Sequence, residues 1–129
     1  GAFVVSEVIK LMIAKDINIK KAKVLMLGIT FKENCPDIRN SRAIDIYREL
    51  EEFGTEVDVY DPWAGASEVS SEYGIKLVDS LNNEIYDAVV LSVSHKEFLN
   101  LSWKSSLKTA SVIYDVKGVL DPQLIDGRL

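Results

Sequence analysis

The sequence predicts an α/β domain, a Rossmann-like doubly wound and mainly parallel sheet with flanking helices, preceded by an apolar N-terminal helix. Two observations carry this. The runs "AKVLMLG" (22–28) and "DAVVLSVS" (87–94) are apolar almost without alternation, as strands buried on both faces are. Segments with helical spacing separate the strand-like runs, so the strands need crossover connections and pair in parallel. Ligands in such sheets sit outside the carboxyl ends of the strands. Three informative stretches then meet on one edge: Gly28 to Arg39, Ser92 to Lys96, and Asp115 to Gly118.

Residues 2–15 read as a helix. Phe3, Val4, Val5, Val8, Ile9, Leu11, Met12 and Ile13 cover more than one stripe of it. Either this helix is deeply buried, or it packs on two bodies: this domain and a further domain or second subunit. "AKVLMLG" is a central strand, and the loop 29–40 follows. Asn40 or Ser41 caps the next helix, which carries Ala43, Ile44, Ile46, Tyr47 and Leu50 and ends at Gly54. "TEVDVYDP" (55–62) alternates Val57 and Val59 with charges, so it is a strand nearer the sheet edge, stopped by Pro62. A weak helix over 65–73, a short strand "GIKLV" (74–78) and a helical turn from Asp79 to Asn83 come next. After the strand 87–94, short helical pieces over 95–107 carry Phe98, Leu101 and Leu107. "SVIYDVKG" (111–118) is the last strand.

The 129 residues suit one domain, and an apolar share of 47% supports a core. The net charge of −5 argues against a general binder of nucleic acid or of membrane surfaces, which need clustered Lys and Arg. A single cysteine, Cys35, excludes an internal disulfide and a Cys-based zinc site, and His95 alone leaves little for a metal. The reading is cytoplasmic. Glu7 and Lys10 interrupt the apolar start, so it does not span a bilayer. A chain that starts at Gly1 without methionine is expected to be cut from a longer one.

A Rossmann-like sheet invites a dinucleotide, yet the fingerprint fails. G-x-G-x-x-G is required at the first strand–helix turn, and "GITFKE" has one glycine. Asp61, where a ribose-binding acid would sit, lies 33 residues past Gly28. It reads as a strand terminator first and a ligand contact second. This domain is not expected to hold NAD alone in the standard way.

Lys32 offers a movable point charge and Arg39 a planar fork, both suited to phosphate. Phe31 stacks on a base or packs inward. The plain alternative keeps Lys32 solvated, Phe31 in the core, and Arg39 paired with Asp37 or Asp45. Cys35 as a nucleophile needs a base and a lowered pKa, and a lone cysteine is more often packing. His95 caps the next short helix or packs, with a ligand contact as the alternative. Lys117 is a turn lysine, unless its convergence with Lys32 and Arg39 on one edge marks an anion site.

"VLMLGITFKENCPDIRNSRAIDIYRELEEFGTEVDVYDPW" resembles the start of the C-terminal domain of the UDP-glucose/GDP-mannose dehydrogenase family. The family pattern is G-x-x-F-K-x-x-x-x-D-x-R-x-S after an apolar strand, then a helix and a strand ending Y-D-P. Gly28, Phe31, Lys32, Asp37, Arg39, Ser41 and Tyr60–Asp61–Pro62 match it. "VSHKEFLNL" and "YDVKGVLD" resemble later segments. "FKENCPDIRNS" with "YDVKGVL" is most similar to the branch acting on UDP-N-acetylhexosamines, which feeds capsule and O-antigen synthesis.

The resemblance implies a three-part enzyme. An N-terminal domain binds NAD, a central helical region carries dimer contacts and a catalytic cysteine, and this C-terminal domain binds the nucleotide half of the UDP-sugar. The reaction takes a C6 alcohol to a carboxylate in two NAD-dependent steps through a thioester. Residues 1–20 would end the inter-domain helix and 21–129 form the UDP-sugar-binding domain. Phe31 and Lys32 would contact the UDP-sugar, and Arg39 would reach the NAD phosphates. Lys117 would contact substrate where many members have arginine. The family's cysteine motif is absent, so no catalytic residue is expected here, and the fragment alone would be inactive. The full enzyme would be a homodimer. Rival readings are a free-standing Rossmann-like nucleotide-binding regulatory module, a small thiol enzyme using Cys35, and a domain that serves assembly through helix 2–15.

Overall fold

Val24, Leu25, Met26 and Leu27 are fully buried, as an unalternated apolar run requires, and they form the strand β1 (Lys23–Leu27). The computed structural model describes residues 1–81 and 85–129. In chain order its other elements are α1 (Ala2–Ala14), α2 (Ala43–Glu52), β2 (Glu56–Tyr60), α3 (Ala66–Tyr73), β3 (Tyr86–Leu91), β4 (Leu107–Asp115) and β5 (Gly127–Arg128). The strands form one parallel sheet in the order β2-β1-β3-β4-β5. β1 is interior and β2 an edge strand, as their patterns predict. The order reverses between β1 and β3, and the carboxyl ends of those two strands bound the crevice where such sheets take ligands.

Alternation along the strands divides the core between the two faces of the sheet. Val24, Met26, Ala88, Val90, Val112 and Tyr114 pack with Val5, Val8 and Met12 of α1, Ile46 and Leu50 of α2 and Val69 of α3. On the other face, Leu25, Leu27, Val89, Leu91 and Ile113 meet Phe98 and Trp103. These two aromatic residues come from 3-10 turns at Lys96–Asn100 and Ser102–Ser106. Leu101, at φ 62°, divides them and prevents one continuous helix. The Trp103 indole N–H donates to the Phe98 carbonyl at 2.7 Å and locks the two turns together.

The helix α1 buries Val5, Val8 and Met12 completely while Phe3 is 63% and Ile13 58% exposed. One apolar face therefore belongs to this core and a second points outward. At α2 the N-cap falls on Arg42, one residue past the expected Asn40 or Ser41, and the Ser41 hydroxyl still accepts the Ala43 N–H at 3.3 Å.

Three expectations change. "GIKLV" forms only one bridge, Leu77 to Val59, because Ile75 is its one fully covered side chain and a bend at Asp79 and Ser80 follows. Of the turn expected over 79–83, residues 79–81 form a bend and a loop, and 82 and 83 lie outside the described residues. The strand β5 is an addition. Its Gly127 lies so close to the Tyr114 ring and Leu11 that a Cβ would stand 3.0 Å from both. A two-residue strand selected for lack of a side chain leaves no apolar pattern to read.

Gly28 tests the packing at the switch point. Its φ is +97°, and an added Cβ would lie 2.5 Å from the Val93 Cβ and 2.9 Å from the Val93 nitrogen. Gly28→Ala is expected to cost about 3 kcal/mol in denaturant unfolding, from overpacking plus backbone strain. Gly74→Ala, at φ +68° with open space around it, should cost about 1 kcal/mol from strain alone. Equal costs would remove the close approach as the reason for Gly28.

Candidate functional site

The loop after β1 is shaped by a carboxylate from the neighbouring strand. β2 ends at Tyr60, and the next side chain, Asp61, is buried. One Asp61 oxygen accepts the N–H of Ile29 at 2.7 Å and of Thr30 at 3.3 Å. The other accepts the N–H of Trp63 at 2.8 Å and of Ala64 at 3.1 Å. His95, with 0% exposure, completes the knot: its Nε2 lies 3.0 Å from Asp61 Oδ2 and 3.1 Å from Thr30 Oγ1. Its Nδ1 accepts the Asn34 N–H at 2.9 Å, which leaves Nε2 as the donor. The Thr30 hydroxyl donates to the Lys32 carbonyl at 3.0 Å, and the Asn34 side chain accepts the Lys96 N–H at 2.9 Å. Loops after β1, β2 and β3 are thus tied at one point.

Burial pushes the Asp61 carboxyl up, but the hydrogen bonds from His95 and from the Ile29 and Trp63 amides outweigh it. Its pKa lies below the ordinary value of 3.8. Asp115 repeats the device after β4. It is fully buried, and it accepts the N–H groups of Lys117 at 3.1 Å, Gly118 at 2.9 Å and Leu120 at 2.7 Å.

Above these anchors lies a cavity of about 300 Å³ at the switch point, with walls that include Phe31, Asn40, Arg42, Ser92, Val93 and Lys117. A second hollow of about 310 Å³ adjoins it, lined by Phe31, Asp37, Arg39 and Asn40. The structure therefore brings Phe31 and Lys117 together and sets Arg39 beside them. Phe31 is 53% exposed, so it is not a core residue. Lys32 and Lys117 are exposed and make no ion pair among the described residues. Arg39 is engaged by Asp37, with Nε and Nη2 each donating at 3.0 Å to separate carboxylate oxygens. The side-chain hydrogen bond from Arg39, followed by its backbone N–H, pulls the Asp37 pKa down to about 2.

Cys35 is a free, half-buried thiol. Both ring nitrogens of His95 are committed elsewhere, so the histidine gives it no base. Sequence reasoning placed Asp61 as a terminator and His95 as a cap or packing residue. His95 makes no capping bond with its side chain, and the two together organise the loop. The Y-D-P strand end and the one histidine at a strand end were the available signals. Ser92 opens one of the three stretches expected at this edge but carries no role of its own there, and Arg42 is not singled out by the sequence.

The profile described as the UDP-glucose/GDP-mannose dehydrogenase family, UDP binding domain, matches residues 25–122. A UDP-N-acetyl-D-glucosamine 6-dehydrogenase from Pseudomonas aeruginosa is 44% identical over 132 aligned residues, covering 100% of this chain and 31% of the relative. Protein CapL from Staphylococcus aureus is 34% identical over 121 residues, 92% of this chain and 28% of that one. The chain spans about a third of the length of such relatives. Among solved structures, a UDP-N-acetyl-mannosamine dehydrogenase from S. aureus superposes with a TM-score of 0.72 at 30% identity, over 93% of this chain and 27% of that one. A UDP-D-ManNAc dehydrogenase from Pyrococcus horikoshii superposes at 0.78 and 24% identity, over 98% and 29%, and shares the fold.

The Asp61–His95 knot yields a pH signature. The folded pKa of Asp61 is below 3.8, so the stability gained from its ionisation is present above that pH and is lost as pH falls through the folded value. Asp61→Asn should remove about 3 kcal/mol at neutral pH and flatten the acid limb of stability against pH. An acid limb unchanged in this variant would assign it to other carboxylates.

Proposed function

The chain belongs to the UDP-glucose/GDP-mannose dehydrogenase family, and from that premise we propose that it is the nucleotide-sugar-binding C-terminal domain of an NAD-dependent UDP-sugar 6-dehydrogenase. The substrate is a UDP-N-acetylhexosamine, whose C6 alcohol becomes a carboxylate for surface polysaccharide synthesis. The observation that carries the reading is the switch-point cavity, where Phe31 and Lys117 share one wall system at the carboxyl edge. Phe31 supplies a flat apolar face for a base or sugar ring. Lys32 and Lys117, which make no ion pair among the described residues, supply positive charge to a diphosphate. The 44% identity to a UDP-N-acetyl-D-glucosamine 6-dehydrogenase supports the N-acetylhexosamine branch.

The residues at the first strand–helix turn do not fit a dinucleotide of their own. Gly28 gives its side-chain space to Val93, and no second glycine follows to let a pyrophosphate approach the backbone of the turn. NAD would supply the hydride acceptor from another domain, and Arg39, already braced by Asp37, would reach its phosphates from this side. The outward Phe3 and Ile13 of α1 suit contact with a central region or a second subunit of a homodimer. No helix among the described residues is long and apolar enough to cross a membrane, and a cytoplasmic setting suits the reaction.

Titration of the 129-residue chain with UDP, followed by amide NMR shifts, tests the reading. Residues 28–39 and 117 should move, and Lys32→Ala or Lys117→Ala should weaken binding about tenfold. Shifts confined to other surfaces would overturn it. The chain alone, given a UDP-N-acetylhexosamine and NAD⁺, should form no NADH.

A further inference from the structure

The arginine that the family motif points to is already neutralised, and the arginine three positions later is not. Arg39 is doubly bonded to Asp37. Arg42 makes no ion pair among the described residues, is exposed, and lines the switch-point cavity. It stands at the N-cap of α2, a ten-residue helix whose N-terminal end carries partial positive charge and contributes Ala43 to the same cavity wall. Asp45, in the first turn of α2, is the nearby acid; its backbone N–H donates to the Arg42 carbonyl at 3.1 Å, and its carboxylate makes no ion pair with Arg42 among the described residues.

Ser92 provides a second, independent observation. It closes the cavity from the β3 side and is 4% exposed. Its hydroxyl is wholly covered and has no hydrogen-bond partner among the described residues. A buried hydroxyl left unmet costs stability, and natural cores rarely keep one without a use. Lys117 faces it from the loop after β4, held there by Asp115. The cavity thus presents a guanidinium, an ammonium, a helix N-terminus and an unspent hydroxyl around about 300 Å³.

We propose that Arg42 and Ser92 are binding residues for a diphosphate ester seated in this cavity, with Arg42 rather than Arg39 giving the domain its own affinity for the anion. The proposal rests on the nucleotide-sugar reading and adds to it the residues that hold the diphosphate. Two separated cations suit two linked phosphates better than one carboxylate. The planar fork of Arg42 takes two oxygens of one phosphate, and the Ser92 hydroxyl, covered in the ligand-free cavity, turns about its Cα–Cβ bond to donate to a phosphate oxygen. A nucleotide sugar and a dinucleotide both carry this group, so both belong in the test.

The experiment measures dissociation constants of the 129-residue chain and its variants at low salt for UDP, uridine, pyrophosphate and NAD⁺. Circular dichroism confirms folding of each variant. Arg42→Ala should weaken UDP and pyrophosphate about tenfold or more and Ser92→Ala severalfold, with uridine unaffected by either. Arg42→Lys should restore only part of the loss, and Arg39→Ala should change UDP little. If Arg42→Ala and Ser92→Ala bind UDP like the parent while Lys32→Ala or Lys117→Ala weakens it, this inference falls and the nucleotide-sugar reading stands. If pyrophosphate and NAD⁺ bind through Arg42 while UDP does not, the diphosphate seat stands and the nucleotide-sugar reading falls. If none of the four probes binds the parent chain, both fall.

Discussion

The site depends on one buried carboxylate. Asp61 takes four backbone N–H groups from two different loops and an imidazole N–H from a third. Such a group is costly to bury alone and favourable once every lone pair is met. The chain meets the condition by bringing the ends of β1, β2 and β3 together, which only the strand order β2-β1-β3 does. Topology and electrostatics are therefore one constraint here. Without the crossover Asp61 keeps only its local donors, Trp63 and Ala64, and without Asp61 the loop after β1 loses its anchors at Ile29 and Thr30.

Function-bearing side chains are kept apart from that anchor. Phe31, Lys32, Arg42 and Lys117 are exposed, while the Phe31 N–H is held by the Asp37 carbonyl, the Lys32 carbonyl by the Thr30 hydroxyl and the Lys117 N–H by Asp115. Rigid backbone under mobile charged side chains lowers the entropy lost when a ligand orders them. Two aspartates at two strand ends use the same solution, each collecting the amides of the turn that follows it.

Much of this was legible in the sequence where the signal is local. The apolar strands, the alternating edge strand and the helix over Ala43–Glu52 follow from periodicity in a few residues. Phe31 and Lys32 were legible as a motif. The Asp61–His95 pair was not, because 34 positions separate the partners and only the sheet joins them. The place of Ser92 at the ligand edge was legible but its unmet hydroxyl was not: that is a property of burial, and a serine at a strand end looks like any other. Arg39 drew attention because it matches a pattern, yet the same short stretch supplies the acid that occupies it. Arg42 looked ordinary because a helix start with a basic residue carries no motif.

The contact between Gly28 and Val93 has a kinetic meaning. In a dinucleotide fold the glycine turn leaves a slot into which the ligand's backbone sinks. Here Val93, two residues past the end of β3, fills that space, so the crevice has a solid floor. A ligand held from below alone meets few obstacles on leaving, and affinity differences of this kind reside mostly in the dissociation rate. On the proposed function, such a floor favours rapid exchange, and residence time would come from whatever closes over the crevice.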